Sequence, residues 1–281
     1  MKPIFITLFT FFAITCSAQK FTDLNGRLKV SGNQLTDERG VPVQLKGFNT
    51  YNLTYCPECV TRDAVRSNSE FWGANVIRAT VYVDDYWNYQ SYNLNPELSK
   101  RMVDSVVSWS EEFGLYCIID WHILKIGNPN APEHAGADDF FREMSAKHAD
   151  KKHVLYEICN EPNGDEVPWD TIASYAASHL ELLGMLSEQI HRIPVFASEW
   201  GVCEYTGNGD VNFGNSEKFL DVMEGHVLDN DTVSVSWCLF SYSDVKEAAS
   251  ALKPGSCGRG EWENMTPTGF FIRDFLQQPN P

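Results

Sequence analysis

Six short apolar segments, each separated from the next by an amphipathic stretch, constrain this chain more than any other feature. They run from Val43 to Asn49, Asn75 to Val83, Leu115 to His122, Val154 to Glu161, Pro194 to Trp200 and Ser234 to Phe240. Strand-length runs alternating with helix-length patterns dictate a parallel sheet covered by helices. The helical stretches are Arg62 to Trp72, Glu97 to Phe113, Ala137 to Ala149, Trp169 to Arg192, Ser216 to Leu228 and Thr268 to Leu276. In the second, Met102, Val103, Val106, Val107, Trp109 and Ser110 form a stripe at helical spacing. Ahead of them, Leu28 to Asn33 and Asp37 to Val43 read as small antiparallel hairpins capping one end. With 281 residues and 43% hydrophobic composition the chain can fill one α/β barrel domain. No repeat, low-complexity tract or linker marks a second domain.

Several segments begin with hydrophobics and finish on polar or ionisable residues: Arg78, Asp120 and His122, Asn160 and Glu161, and Glu199. In (β/α) barrels, catalytic groups stand at the carboxyl ends of strands. Val154-Leu155-Tyr156-Glu157-Ile158-Cys159-Asn160-Glu161-Pro162 ends in an amide, a carboxyl and a chain-breaking proline, and Val195-Phe196-Ala197-Ser198-Glu199-Trp200-Gly201 repeats the plan. Two carboxylates at two strand mouths would face each other across a pocket, the arrangement glycoside hydrolysis requires. One must be protonated to donate to the leaving oxygen and the other charged to attack the anomeric carbon, so their environments must split their pKa values. Alone, either motif is weak, because most glutamates in such loops are solvated.

The formal charge of −16 disfavours nucleic acid and anionic membranes as partners, since both demand a basic surface, while a neutral polymer stays compatible. Eight tryptophans and eleven tyrosines supply rings suited to sugar faces, although core packing accounts for many. Residues 1–18, with Lys2, the apolar run Ile4 to Thr15 and Cys16-Ser17-Ala18, read as a signal peptide cleaved after Ala18, which implies secretion. That run is too short to span a bilayer, and no later stretch could cross one. The mature chain 19–281 holds Cys56, Cys59, Cys117, Cys159, Cys203, Cys238 and Cys257, so at least one is unpaired. Cys56-Pro57-Glu58-Cys59 has the spacing of half a zinc site without a second half, which favours a loop disulfide or free thiols. Cys117 and Cys159 read as small core residues. Asn52, Asn230 and Asn264 lie in glycosylation sequons.

Taken together, Gly47-Phe48-Asn49, Asn75-Val76-Ile77-Arg78-Ala79, Leu115-Tyr116-Cys117-Ile118-Ile119-Asp120-Trp121-His122, Tyr156 to Pro162, Phe196 to Gly201 and Ser236-Trp237 resemble glycoside hydrolase family 5, in its endoglucanase (cellulase) branch. The resemblance implies a (β/α)8 TIM barrel and hydrolysis of internal β-1,4-glucosidic bonds by a retaining mechanism, with β-glucan as partner and no metal or organic cofactor. A monomer is expected. Glu161 would be the acid/base and Glu199 the nucleophile, their carboxyls about 5 to 5.5 Å apart. Asn160 would hold the sugar 2-hydroxyl, Arg78 would orient Glu199 and keep it ionised, His122 would line the reactive subsite and Trp237 would stack under that sugar.

The match is incomplete. Glu161 and Glu199 are 38 residues apart, whereas strands four and seven of such a barrel should be separated by roughly 90 residues. About two βα units are missing, with the gap placed near Ala173, leaving six recognisable units. Tyr175 matches a tyrosine at the end of the family's sixth strand that hydrogen-bonds the nucleophile. The spacing of Ile172, Tyr175, Ala176, Leu180, Leu183, Leu186 and Ile190 instead gives one helix, the favoured reading. Tyr51 and Tyr55 stand where this branch places a histidine and a tryptophan, and Lys246-Glu247 is the weak remnant of a binding run. The rival expectations are an inactive derivative that only binds glucan and a hydrolase of mannan, xylan or mixed-linkage glucan.

Overall fold

A computed structural model describes residues 19–84, 90–124, 127–164, 167–182, 196–203, 211–224, 226–228, 231–233 and 235–278. The expected leader, the sequon at Asn230, the helical tail 183–192 and the strand start at Pro194 lie outside the described residues. Helix α1 (Phe21–Asn25) leads into the antiparallel pair β1 (Lys29–Ser31) and β2 (Gln34–Thr36). Phe21, Leu28 and Leu35 pack on Val43, Leu45, Val76, Tyr116, Ile118 and Cys238, near the amino ends of the central strands. The hairpin thus caps that end of the sheet.

The body alternates strands and helices: β3 (Lys46–Thr50), α2 (Arg62–Glu70), β4 (Val76–Tyr82), α3 (Pro96–Phe113), β5 (Tyr116–His122), α4 (Ala137–Lys147), β6 (Val154–Glu157), α5 (Trp169–Leu182), β7 (Phe196–Trp200) and α6 (Phe213–Glu224). A small hairpin, β8 (His226–Leu228) and β9 (Asp231–Val233), precedes β10 (Ser236–Tyr242), α7 (Ser256–Arg259) and α8 (Pro267–Leu276). The helix expected over Ser216 to Leu228 therefore stops early. Val227, Thr232 and Val233 are β-branched, a residue type that favours strand over helix, in keeping with the hairpin. Helix α3 starts where Asn95 Oδ1 accepts from the Leu98 N–H at 3.1 Å with Pro96 behind it, and it ends at Gly114 in the left-handed region.

Six strands form one parallel sheet in the order β6-β5-β4-β3-β10-β7. Among the described residues this is a (β/α)8 barrel with six of its eight strands, β3 joined to both β4 and β10 and the gap between β6 and β7. At Gly47 a Cβ would lie 1.9 Å from the Val76 carbonyl oxygen, so only glycine lets β3 and β4 approach this closely. Cys59 pairs with Cys257, tying the loop after β3 to α7, while Cys56 stays a thiol 3.0 Å from the Cys59 sulfur. The expected disulfide thus has a distant partner. Burial, then the charges of Glu58 and Asp244, push the Cys56 thiol up to about 12. Cys117 is buried and Cys159 half-buried. Asn52 is also buried, which removes it as a glycan acceptor in the folded chain.

Candidate active site

Arg78 organises the carboxyl end of the sheet. From β4 its guanidinium, fully buried, donates from Nε and Nη2 to the two Glu157 oxygens, both at 2.7 Å. Nη1 reaches Asn49 Oδ1 at 2.8 Å and Glu199 Oε2 at 2.9 Å, and Nη2 also reaches Asn160 Oδ1 at 2.9 Å. Asp120 Oδ2 lies 3.2 Å from Nη2. One cation therefore gathers residues from β3, β4, β5, β6 and β7, and Arg78, Asn160 and Glu199 meet as the sequence implied. Only a planar fork can serve so many acceptors at once.

The charges are tightly coupled. Burial alone would lower the guanidinium's pKa, but Asp120 and Glu157 more than offset it and raise it. Burial pushes Glu199 above the ordinary glutamate range; His122 and Arg78 pull it back, and Asp120 and Glu161 push it further up. Glu157 is also raised, by burial and Asp120, against the pull of Arg78 and the Ser198 hydroxyl. Burial raises Asp120 to about 7 despite Arg78, consistent with an Oδ1 that lacks any hydrogen-bond partner. His122 is driven down to about 3 by burial, with the Arg78 charge adding to it. The neutral ring can donate from Nδ1 to Asp120 Oδ2 at 2.7 Å, and it lies flat on Tyr82, with centroids 4.2 Å apart.

Glu161 stands apart from this cluster yet acts on it, because its charge raises Glu199, Asp120 and His122 alike. It is exposed, and at φ 38° it is the one non-glycine with positive φ among the described residues. That backbone state costs on the order of 1–2 kcal/mol and persists where surroundings impose it. Here Asn163 Nδ2 holds the Glu161 carbonyl at 2.6 Å, and the Asn163 N–H donates to the Gly127 carbonyl at 3.0 Å. A Cβ on Gly127 would come within 2.0 Å of the Asn163 carbonyl oxygen, so the loops after β5 and β6 interlock only over a glycine. Asn160 spends its oxygen on Arg78 and one amide hydrogen on the Ile123 carbonyl, which leaves one hydrogen for a ligand.

Three expectations need correction. Trp237 is the second residue of β10, fully buried with its ring edge-on to Trp200, and cannot stack under a sugar. The aromatic that the carboxyl end of β10 presents is Phe240, half-buried and 5.2 Å from the Tyr51 ring, which is itself 5.3 Å from Tyr55. The Phe240–Ser241 peptide is cis. The rule that placed Glu199 at a strand end would also have chosen Phe240 over Trp237. Tyr175 lies on helix α5, buried, and its hydroxyl donates to the Ile158 carbonyl at 2.9 Å rather than to Glu199. Lys246 is exposed and Glu247 half-buried, its charge felt by Cys203; among the described residues neither joins the Arg78 network. Glu157, Ser198, Asn49 and Tyr82 were missed as site residues, although all lie within or beside the matched motifs. Among the described residues, Cys56, Cys59 and Asp244 have metal-ligand spacing, but the Cys59 sulfur is already bonded to Cys257.

The cellulase (glycosyl hydrolase family 5) profile matches residues 36–183. An endoglucanase of Clostridium saccharobutylicum is 30% identical over 311 residues, covering 92% of this chain and 67% of that protein. Endoglucanase E-5 of Thermobifida fusca is 29% identical, covering 90% of this chain and 64% of its own length. The chain thus spans about two thirds of these curated relatives. Since 92% of 281 residues is stretched over 311 positions, about fifty residues within the aligned part of the clostridial protein have no counterpart here. Among solved structures, the catalytic domain of Thermobifida fusca endoglucanase Cel5A in complex with cellotetraose superposes with a TM-score of 0.81 at 25% identity, covering 92% of this chain and all of that one. Cellulase Cel5C_n gives 0.80 at 28%, covering 91% of this chain and 93% of its own.

Proposed function

We propose, from the premise that this chain belongs to glycosyl hydrolase family 5, that it hydrolyses internal β-1,4 bonds of a glucan by double displacement. Glu199, charged and oriented by Arg78, attacks the anomeric carbon while the Glu161 carboxyl passes its proton to the departing glycosidic oxygen. A covalent glycosyl ester on Glu199 results. Water then attacks the same carbon, Glu161 takes its proton, and the ester bond breaks to free the sugar and restore Glu199. The observation that carries this reading is the Arg78 network, which joins Glu199 on β7 to Asn160 beside Glu161 on the β6 side. Asn160 keeps an amide hydrogen for a sugar hydroxyl, and Tyr51, Tyr55 and Phe240 form a run of rings against which sugar faces can pack. Trp169, at the start of α5 beyond the Glu161 loop, is a further ring open to solvent, 76% exposed.

Reducing-sugar release from carboxymethylcellulose tests the proposal, with Glu161→Gln and Glu199→Gln each expected to lower the rate by at least about 10²-fold. A folded wild-type sample that releases nothing sinks it. Proton NMR of the first-formed product should show the retained anomer. The gap between β6 and β7 favours a second reading, a glucan binder without turnover, which the same assay separates when combined with retention on insoluble cellulose. A panel of mannan, xylan and mixed-linkage glucan decides the polymer. Secretion after cleavage at Ala18 belongs to the same proposal, and the Cys59–Cys257 disulfide is in keeping with an oxidising compartment.

A further inference from the structure

We infer that Glu157 and Ser198 are positioning residues that close with side chains the seam left open between β6 and β7, and so hold Glu199 in register with Asn160 and Glu161. The inference rests on the proposed roles of those glutamates. In the sheet, β7 pairs only with β10 and β6 only with β5, and among the described residues no strand pairs with either outer edge. Among the described residues no backbone ladder therefore fixes the distance between the two strands that carry the reacting carboxylates.

A bulge in β7 supplies the substitute. Ala197 pairs with Trp237 and Trp200 with Leu239, so Ser198 and Glu199 together oppose the single residue Cys238. In a regular strand, neighbouring side chains point to opposite faces; a bulge turns both toward one side. The Ser198 hydroxyl donates to Glu157 Oε1 at 3.0 Å, directly across the seam, while its carbonyl accepts from Asn49 Nδ2 at 3.1 Å. Glu157 in turn grips Arg78 with both oxygens, and Arg78 grips Glu199. The ring Ser198, Glu157, Arg78, Glu199 starts and ends on β7 and passes through β6 and β4. Beside it the seam opens as a cleft of about 370 Å³ lined by Leu155, Tyr156, Glu157, Phe196 and Ser198, so water competes for these bonds. Glu157 has a second effect, since its charge neutralises part of the guanidinium that also faces Glu199.

Ser198→Ala, Ser198→Thr and Glu157→Gln, assayed on carboxymethylcellulose across pH, test this. Ser198→Ala should lower kcat about tenfold and Glu157→Gln about 10²-fold, with KM changed less than about twofold, because small displacements of a reacting group weigh on the chemical step. Ser198→Thr should restore kcat. Glu157→Gln should also move the acid limb of kcat/KM to lower pH, because removing a neighbouring anion lowers the Glu199 pKa; a purely structural role would not shift it. Wild-type kcat and pH profile in both Ser198→Ala and Glu157→Gln overturn the inference while leaving the hydrolase reading intact. Should Glu157→Gln fail to fold, Ser198→Ala and its rescue decide alone. Should the wild type show no turnover, the functional reading fails by itself, and hydrogen exchange takes over: amides of residues 197–200 must exchange faster in Ser198→Ala than in the wild type, and equal rates overturn the seam.

Discussion

The inner strands and the seam strands of this sheet are built to different standards. In β4 and β5 every residue is buried, as it is in β3, whereas β7 is only half-buried throughout and β6 is so beyond its first residue. Asn49, Arg78, Asp120 and His122 stand on the well-packed side, and Glu199 and the lead-in to Asn160 and Glu161 stand on the thin side. The difference teaches that precision at the carboxylates proposed to react is imported. Polar side chains anchored in the intact arc reach across to strands that their own packing would hold loosely.

If so, the anchor matters most. Arg78→Ala would leave buried Asp120 and half-buried Glu157 and Glu199 together without their cation, and stripping one partner from a buried charge cluster costs about 3–5 kcal/mol. Urea unfolding should show a loss in that range, and Arg78→Lys should recover only part of it, because a point charge cannot reproduce the two-pronged bond to Glu157. A loss below about 1 kcal/mol would mean that the network is peripheral and that the arc does not support the seam.

The contrast in packing can be measured with two apolar truncations. Ile119→Ala, on β5 and fully buried, should cost about 2–5 kcal/mol, because it removes contacts and leaves a cavity. Leu155→Ala, on half-buried β6 and facing the cleft, should cost about 1 kcal/mol or less, since much of the lost surface was already wet. Equal losses would show that the seam is packed as firmly as the arc.

Much of this arrangement was legible from the chain itself, and the boundary of legibility follows the same contrast. Strand positions and strand-end polar residues are local properties, so all six parallel strands and the convergence of Arg78, Asn160 and Glu199 could be read from period and motif. The helical placement of Tyr175 came from spacing alone and proved right where the family match pointed elsewhere. The place of the seam was legible from the short spacing between Glu161 and Glu199, but the way it closes was not. That Ser198 faces Glu157 depends on a bulge set by pairing between distant segments. Trp237 and Phe240 could have been told apart by the strand-end rule, since the segment Ser234 to Phe240 ends on the latter, whereas Cys257 could not be singled out as the partner of Cys59 from spacing. Phe240→Ala should raise KM roughly three- to tenfold, the range of losing about one ring contact, whereas Trp237→Phe should leave KM unchanged and lower only the unfolding midpoint.

Asp120 gives a pH-dependent test of the intact arc. Its folded pKa, about 7, is raised above the unfolded carboxylate value, so the folded state holds its proton more tightly. The stability it contributes is complete below the unfolded value of about 3.9 and is lost as pH rises through about 7. Asp120→Asn should therefore flatten the fall of unfolding free energy across that window while leaving the slope outside it unchanged. An unaltered slope would mean that Asp120 is ionised throughout, fully compensated by Arg78.

The smallest effect belongs to Tyr175. Its hydroxyl supports the Ile158 carbonyl just beyond β6, so Tyr175→Phe should cost about 0.5–1.5 kcal/mol, the worth of one hydrogen bond. Because the ring stays packed on His179, kcat and the acid limb of the pH profile should not move. A tyrosine that touched Glu199 would behave otherwise, since losing a donor to the charged carboxylate would raise the Glu199 pKa and carry that limb upward. A shifted limb would thus place Tyr175 back beside Glu199, and with it a seam far tighter than the half-buried strands imply.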